Sequence, residues 1–194
     1  MNDFSKFAHG DTALSAADAY LALSENEFDD FVYVKSIEII GKMADGFDPS
    51  FDDFKILRQA WENGRHGNDM RKAFSDADTY FMFTEHEFIN RIIRCDGFLS
   101  KTEIWHSQRM KSCVLYRGCD ASEIDEPGYS WTTSENVAEF FARRNNYVNP
   151  VVLTGYFDNK KAKCGLLLNA EKEIICTDMR VISAASLIPA YESD

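Results

Sequence analysis

Tyr129-Ser-Trp-Thr-Thr-Ser-Glu-Asn-Val-Ala-Glu-Phe-Phe-Ala-Arg-Arg144 changes period in its middle. The first five residues, Tyr129 to Thr133, are β-rich and read as a strand. Ser134 suits an N-cap, and Val137, Ala138, Phe140 and Phe141 then recur at helical spacing as a buried stripe. Arg143-Arg144 close the helix with cations that suit the negative end of its dipole. A strand that delivers directly into an amphipathic helix, with further β-rich runs on both sides, places this stretch at the centre of a mixed fold.

Upstream lies Ser112-Cys-Val-Leu-Tyr116. Downstream lie Pro150-Val-Val-Leu-Thr-Gly-Tyr156, Lys172-Glu-Ile-Ile-Cys-Thr177 and Arg180-Val-Ile-Ser-Ala184, each bounded by Gly, Asp, Asn or Pro breakers. The first half has helical period instead. Leu14, Ala17, Tyr20 and Leu21 share one face, as do Phe28, Phe31, Val32, Ile39 and Ile40. Asp48-Pro49-Ser50 opens a helix whose Phe51, Phe54, Leu57, Ala60 and Trp61 recur at three and four until Gly64. Further helical segments are expected over 68–83 and 85–94. The chain reads as one α+β domain over 1–194, with a helical part, 1–110, ahead of a β-rich core, 111–194, built on a mostly antiparallel sheet.

The 194 residues carry 21 Lys and Arg against 32 Asp and Glu, a formal charge of -11. The imbalance sits in the first half: residues 1–100 carry 10 basic against 19 acidic side chains, and 101–194 carry 11 against 13. A helical part this acidic makes a poor surface for nucleic-acid phosphates. No apolar run approaches the roughly 18 residues of a membrane span, and the first ten residues lack a secretory pattern, so a cytoplasmic protein without membrane contact is expected. Five cysteines without a C-x-x-C pair read as reduced thiols, mostly buried. Gly41-Lys42-Met43 lacks the spacing of a phosphate loop and His86-Glu87 has no second His, so no metal site is expected.

Three segments of the second half carry chemistry together. Leu115-Tyr116-Arg117-Gly118 sets an Arg at a strand end with a Gly behind it. Ser130-Trp131-Thr132-Thr133-Ser134 puts hydroxyls where a strand exits into a helix. Glu171-Lys172-Glu173-Ile174-Ile175 brings two carboxylates into an apolar strand, and strand alternation sets Glu171 and Glu173 on one face.

In order and spacing these segments resemble the mono-ADP-ribosyltransferases of the arginine, serine-threonine-serine, glutamate class. Tyr-Arg-Gly followed by Trp-Thr-Thr-Ser and Ala138-x-x-Phe141-Ala142 looks most like phage and prophage members. The resemblance covers about residues 114–182 and implies a helical layer set against a split β-sandwich. It also implies NAD as substrate, with ADP-ribose transferred and nicotinamide released. On that resemblance Glu173 is the catalytic carboxylate and Arg117 holds the pyrophosphate, Gly118 lets the backbone approach the nicotinamide amide, and Tyr116 belongs to the NAD-binding set. Thr132 and Ser134 orient the ribose and Glu173, Thr133 lies among the NAD-binding residues, and Phe140 or Phe141 walls the nicotinamide pocket.

Glu171 bears on the acceptor. An arginine guanidinium stays protonated at physiological pH and must lose a proton to attack, which a second carboxylate assists. In the family that these segments resemble, Glu at this position tends to accompany arginine modification and Gln other acceptors, so the resemblance implies an arginine of a protein as the acceptor. Transfer to a nucleic-acid base, plain NAD hydrolysis and an inactive protein-binding module are the alternatives. Two departures stand out. Thr132 occupies the place of the first Ser of the hydroxyl motif, and Gly165-Leu-Leu-Leu-Asn169-Ala170 lacks the aromatic that several members use on the acceptor.

Overall fold

The computed structural model describes residues 25–62, 69–77, 83–144 and 147–187. Among these, five helices precede the sheet: α1 Glu25–Ala44, α2 Phe51–Glu62, α3 Asp69–Asp76, α4 Glu85–Ile92 and α5 Lys101–Ser107. The starts of α2, α4 and α5 are written in side chains. The Ser50 N–H donates to the Asp53 carboxylate, and the Asp53 N–H returns a bond to the Ser50 hydroxyl. Thr84 with Glu87 and Ser100 with Glu103 form capping boxes at α4 and α5. Hydrophobic period does not flag α5, which is too short; the Ser-x-x-Glu box at Ser100 was its signal. The expected 14–21 helix, the stop at Gly64 and residues 68 and 78–82 lie outside the described residues. No described helix is long and apolar enough to cross a membrane.

Six strands follow: β1 Cys113–Asp120, β2 Ser130–Thr132, β3 Pro150–Phe157, β4 Cys164–Leu166, β5 Glu173–Cys176 and β6 Arg180–Ser186. Helix α6, Glu135–Arg144, joins β2 to β3. The strands form one antiparallel sheet in the order β4-β5-β2-β1-β3-β6. The fold is α+β. One junction is thin: β1 meets β2 at the single pair Tyr116↔Thr132, whereas β1 meets β3 along its whole length, from Cys113↔Phe157 to Asp120↔Pro150.

Several details differ from the sequence reading. Strand β1 does not end at Arg117 but runs through Arg117 and Gly118, because the β3 ladder pairs both, with Leu153 and Val152. Strand β4 occupies part of the stretch read as a loop, Gly165 and Leu166 included. The buried stripe of α6 is Ala138 and Ala142, not Val137, Phe140 and Phe141; Phe140 is 58% exposed. The reason is Gly118, where a Cβ would stand 2.0 Å from the Ala138 carbonyl oxygen and 2.6 Å from the Ala142 nitrogen. The helix backbone lies so close to β1 that only small side chains fit between them. All five cysteines are free, with Cys119, Cys164 and Cys176 buried and Cys95 and Cys113 half-buried.

Residues directly opposite in an antiparallel pair share a face. Tyr116↔Thr132 and Thr132↔Glu173 therefore put Tyr116, Thr132 and Glu173 in one row across three strands. Gly118, two residues from Tyr116, faces the same way and meets α6. Ile175, two from Glu173, joins Leu167 in the core of the helical layer, with Leu57, Phe88, Ile89 and Ile92. Helices from both halves thus cover this one face, and the row lies between α6 and the helical layer. The reverse face packs Leu115, Cys119, Trp131, Leu153, Phe157 and Ile174 into a second core.

Candidate active site

The row is held from three directions. Thr132 is buried, and its hydroxyl donates to the Glu171 carbonyl oxygen at 3.0 Å while accepting the Ser134 N–H at 3.2 Å. One side chain thereby ties the end of β2, the entry of α6 and the turn before β5. The extra methyl of Thr over Ser is accommodated inside the packed layer.

Glu173 opens β5. Its Oε1 accepts the indole N–H of Trp61 at 2.9 Å, and its Oε2 accepts the amide of Asn169 at 3.4 Å. The Glu173 N–H donates to Asn169 Oδ1 at 3.2 Å, so Asn169 holds both main chain and side chain. Trp61 and Asn169 escaped the sequence reading. Asn169 four residues ahead of a carboxylate is a turn signal that could have been read. Trp61 offered none, because it sits 112 residues away on a helical stripe, where an aromatic normally means core.

Glu171 lies in the turn, not on the strand, so strand alternation does not set its direction. Lys172, between the two carboxylates, has φ of 51°. That left-handed conformation is unfavourable for a residue with a Cβ. Lys172→Gly is expected to stabilise the protein by about 0.5–1 kcal/mol, relief of strain exceeding the added freedom of the unfolded chain, and a raised melting temperature in calorimetry would show it.

Burial pushes the Glu171 carboxyl above its ordinary value, the charge of Glu173 adds to this, and Arg144 partly opposes it. A carboxyl whose folded value is raised stabilises the fold below the unfolded value, and that contribution is lost as pH rises through the folded one. Glu171→Gln is therefore expected to match the wild type in melting temperature near pH 4 and to exceed it slightly near pH 7, as thermal melts across that range would record. Arg144 also stands over the Phe140 ring at 5.8 Å. Phe140 and Phe141 meet edge to face at 5.6 Å. Thr133 is exposed just beyond β2.

The structure does not bring Arg117 to this row. Next to Tyr116 on β1, it points to the reverse face by alternation. There Nη1 donates to the Ser130 carbonyl oxygen at 2.9 Å, and Nη2 pairs with Glu123 at 3.2 Å. A Cβ on Gly128 would sit 2.6 Å from Nη2, so the glycine leaves the space the guanidinium fills. Both terminal nitrogens are thus engaged in fastening β1 to β2 and to the segment after β1, which differs from the pyrophosphate role that the resemblance implies. Gly118 likewise serves helix approach, its Cα turned to α6.

Together these residues offer a half-buried carboxylate with fixed orientation, a second carboxylate with a raised pKa beside it, and a buried hydroxyl linking the two segments. Such a face suits the stabilisation of a developing positive charge and the removal of a proton from a cationic acceptor. Comparison with protein-family models, with curated proteins and with solved structures gives no match for this chain.

Proposed function

We propose that the protein is an NAD-dependent mono-ADP-ribosyltransferase whose acceptor is an arginine side chain of a protein. The observation that carries the reading is the register pair Thr132↔Glu173 together with the bond from the Thr132 hydroxyl to the Glu171 carbonyl. Hydroxyl motif and Glu-x-Glu motif, some forty residues apart in sequence, are locked side by side. The thin junction between β1 and β2 supports the split-sheet architecture of that family, since it nearly divides the sheet into β4-β5-β2 and β1-β3-β6.

The nicotinamide-ribose end of NAD fits what this face presents. Cleavage of the glycosidic bond leaves positive charge on the ribose, the same electronic demand that a glycosidase meets. Glu173, with Trp61 and Asn169 fixing its two oxygens, supplies a negative charge that need not reorganise as that charge develops. Glu171, ionised above its raised pKa, takes a proton from the attacking guanidinium nitrogen as the new carbon–nitrogen bond forms. Thr132 keeps the two carboxylates in register, and Arg117 holds β2 from the reverse face.

The test is to incubate the protein with NAD and, separately, agmatine as a small guanidinium acceptor, lysate protein, or RNA and DNA. Nicotinamide release with label on agmatine and on protein arginine is expected. Release with water as the sole acceptor would make it an NAD glycohydrolase, label confined to nucleic acid would replace the acceptor, and no release under any condition would overturn the reading.

A further inference from the structure

Helix α2 reaches the candidate site twice. Arg58 and Trp61 are three residues apart and so lie on one helix face. Trp61 donates its indole N–H to Glu173 Oε1. Arg58 donates to Glu103 Oε1 at 3.1 Å, to Glu62 at 2.9 Å and to the Phe98 carbonyl at 3.1 Å. Glu103 is a buried carboxylate whose Oε1 also accepts the Leu168 N–H at 2.9 Å. Burial alone would raise the Glu103 pKa, but the Leu168 and Ser100 N–H groups and the Arg58 guanidinium together hold it below the ordinary carboxylate value. One helix of the acidic half therefore grips both ends of the turn 168–173, directly at Glu173 and through Glu103 at Leu168. Between those grips lie Asn169, Glu171 and the strained Lys172.

The geometry points to Trp61 as a positioning residue that sets the Glu173 carboxylate from the helical half, with Arg58 and Glu103 fixing the far end of the same turn. This rests on the reading of Glu173 as the carboxylate that faces the NAD ribose. A carboxylate has about four acceptor positions, so the bonds from Trp61 and Asn169 leave room for a ribose hydroxyl while removing rotation about the side chain. An unheld carboxylate would reach the sugar in many orientations, few of them productive. The helical part then belongs to the catalytic apparatus.

Trp61→Phe keeps an aromatic ring in the packed layer and removes the N–H together with the five-membered ring that carries it. It is expected to lower kcat for nicotinamide release about tenfold with little change in KM for NAD, the pattern of lost transition-state alignment rather than lost binding. Combined with Glu173→Gln it should add no further loss, since the group it positions is already gone. Amide exchange of residues 169–173 should quicken about tenfold, with the β1–β3 ladder unaffected. Wild-type kcat in Trp61→Phe, or an additive loss in the double variant, would overturn the proposal. Absence of nicotinamide release from the wild type would instead overturn the reading of Glu173. In that case the exchange experiment alone decides whether Trp61 holds the turn: unchanged exchange at 169–173 refutes it.

Discussion

Glu173→Gln is expected to lower nicotinamide release from NAD by about 10²–10³-fold, equivalent to roughly 2.7–4 kcal/mol of barrier, the range found when one preorganised charge-stabilising group is removed from an active site. Glutamine keeps the size of the side chain and an oxygen for the Trp61 N–H and gives up only the long 3.4 Å bond from the Asn169 amide, so the thermal midpoint should stay within a degree or two of the wild type. The loss would then belong to the missing charge. A rate equal to the wild type would show that no charge at this position assists the reaction. Transfer to agmatine and hydrolysis by water should fall together, because both pass through the same bond cleavage, whereas loss of Glu171 should spare hydrolysis.

Gly118→Ala carries the largest expected effect on folding, about 3 kcal/mol of destabilisation. The added methyl meets backbone atoms, the carbonyl oxygen of Ala138 at 2.0 Å and the nitrogen of Ala142 at 2.6 Å, and backbone cannot rotate aside as a side chain would. Either α6 moves off β1 or the strand bends, and both disturb the β1–β3 ladder behind it. For a chain of this size the melting temperature should drop by roughly 6–12 °C. Gly128→Ala makes a useful contrast: its clash is with the end of the Arg117 side chain, which can give way without moving backbone, at the expense of its bonds to Ser130 and Glu123. An unchanged melting temperature for Gly118→Ala would mean that α6 does not sit against β1 as described.

The sequence carried the class of the fold because its period changes once, from helical to alternating, and both signals are local. It carried α2 through the start at Asp48-Pro49-Ser50 and the segment of α4 as a helical run, whose Thr84 cap went unread. It misjudged α6, since spacing alone cannot say which of two apolar stripes is buried when the partner is a glycine on another strand. Phe140 looked like core and is surface; Ala138 was read as buried and is, and Ala142, which the stripe left out, is buried beside it. At the site, Thr132 and Glu173 were legible because a hydroxyl before a helix and a carboxylate entering a strand are local patterns. Arg117 was legible as a residue but not as a direction, because one residue of strand register decides which face it takes. Trp61 was invisible, since its partner is fixed only by tertiary packing.

The sheet's narrow junction has a consequence for how such a protein changes over time. Main-chain ladders fix strand register almost independently of side chains, and so tolerate substitution without altering geometry. Between β1 and β2 the ladder is one pair wide, and the Arg117 guanidinium supplies a bond to Ser130 that neighbouring strands would otherwise take from each other's backbone. The angle between the two half-sheets is thus written in a handful of side chains, Arg117, Glu123 and Gly128 among them. A lineage can change how the two half-sheets meet by single substitutions while both half-sheets stay intact.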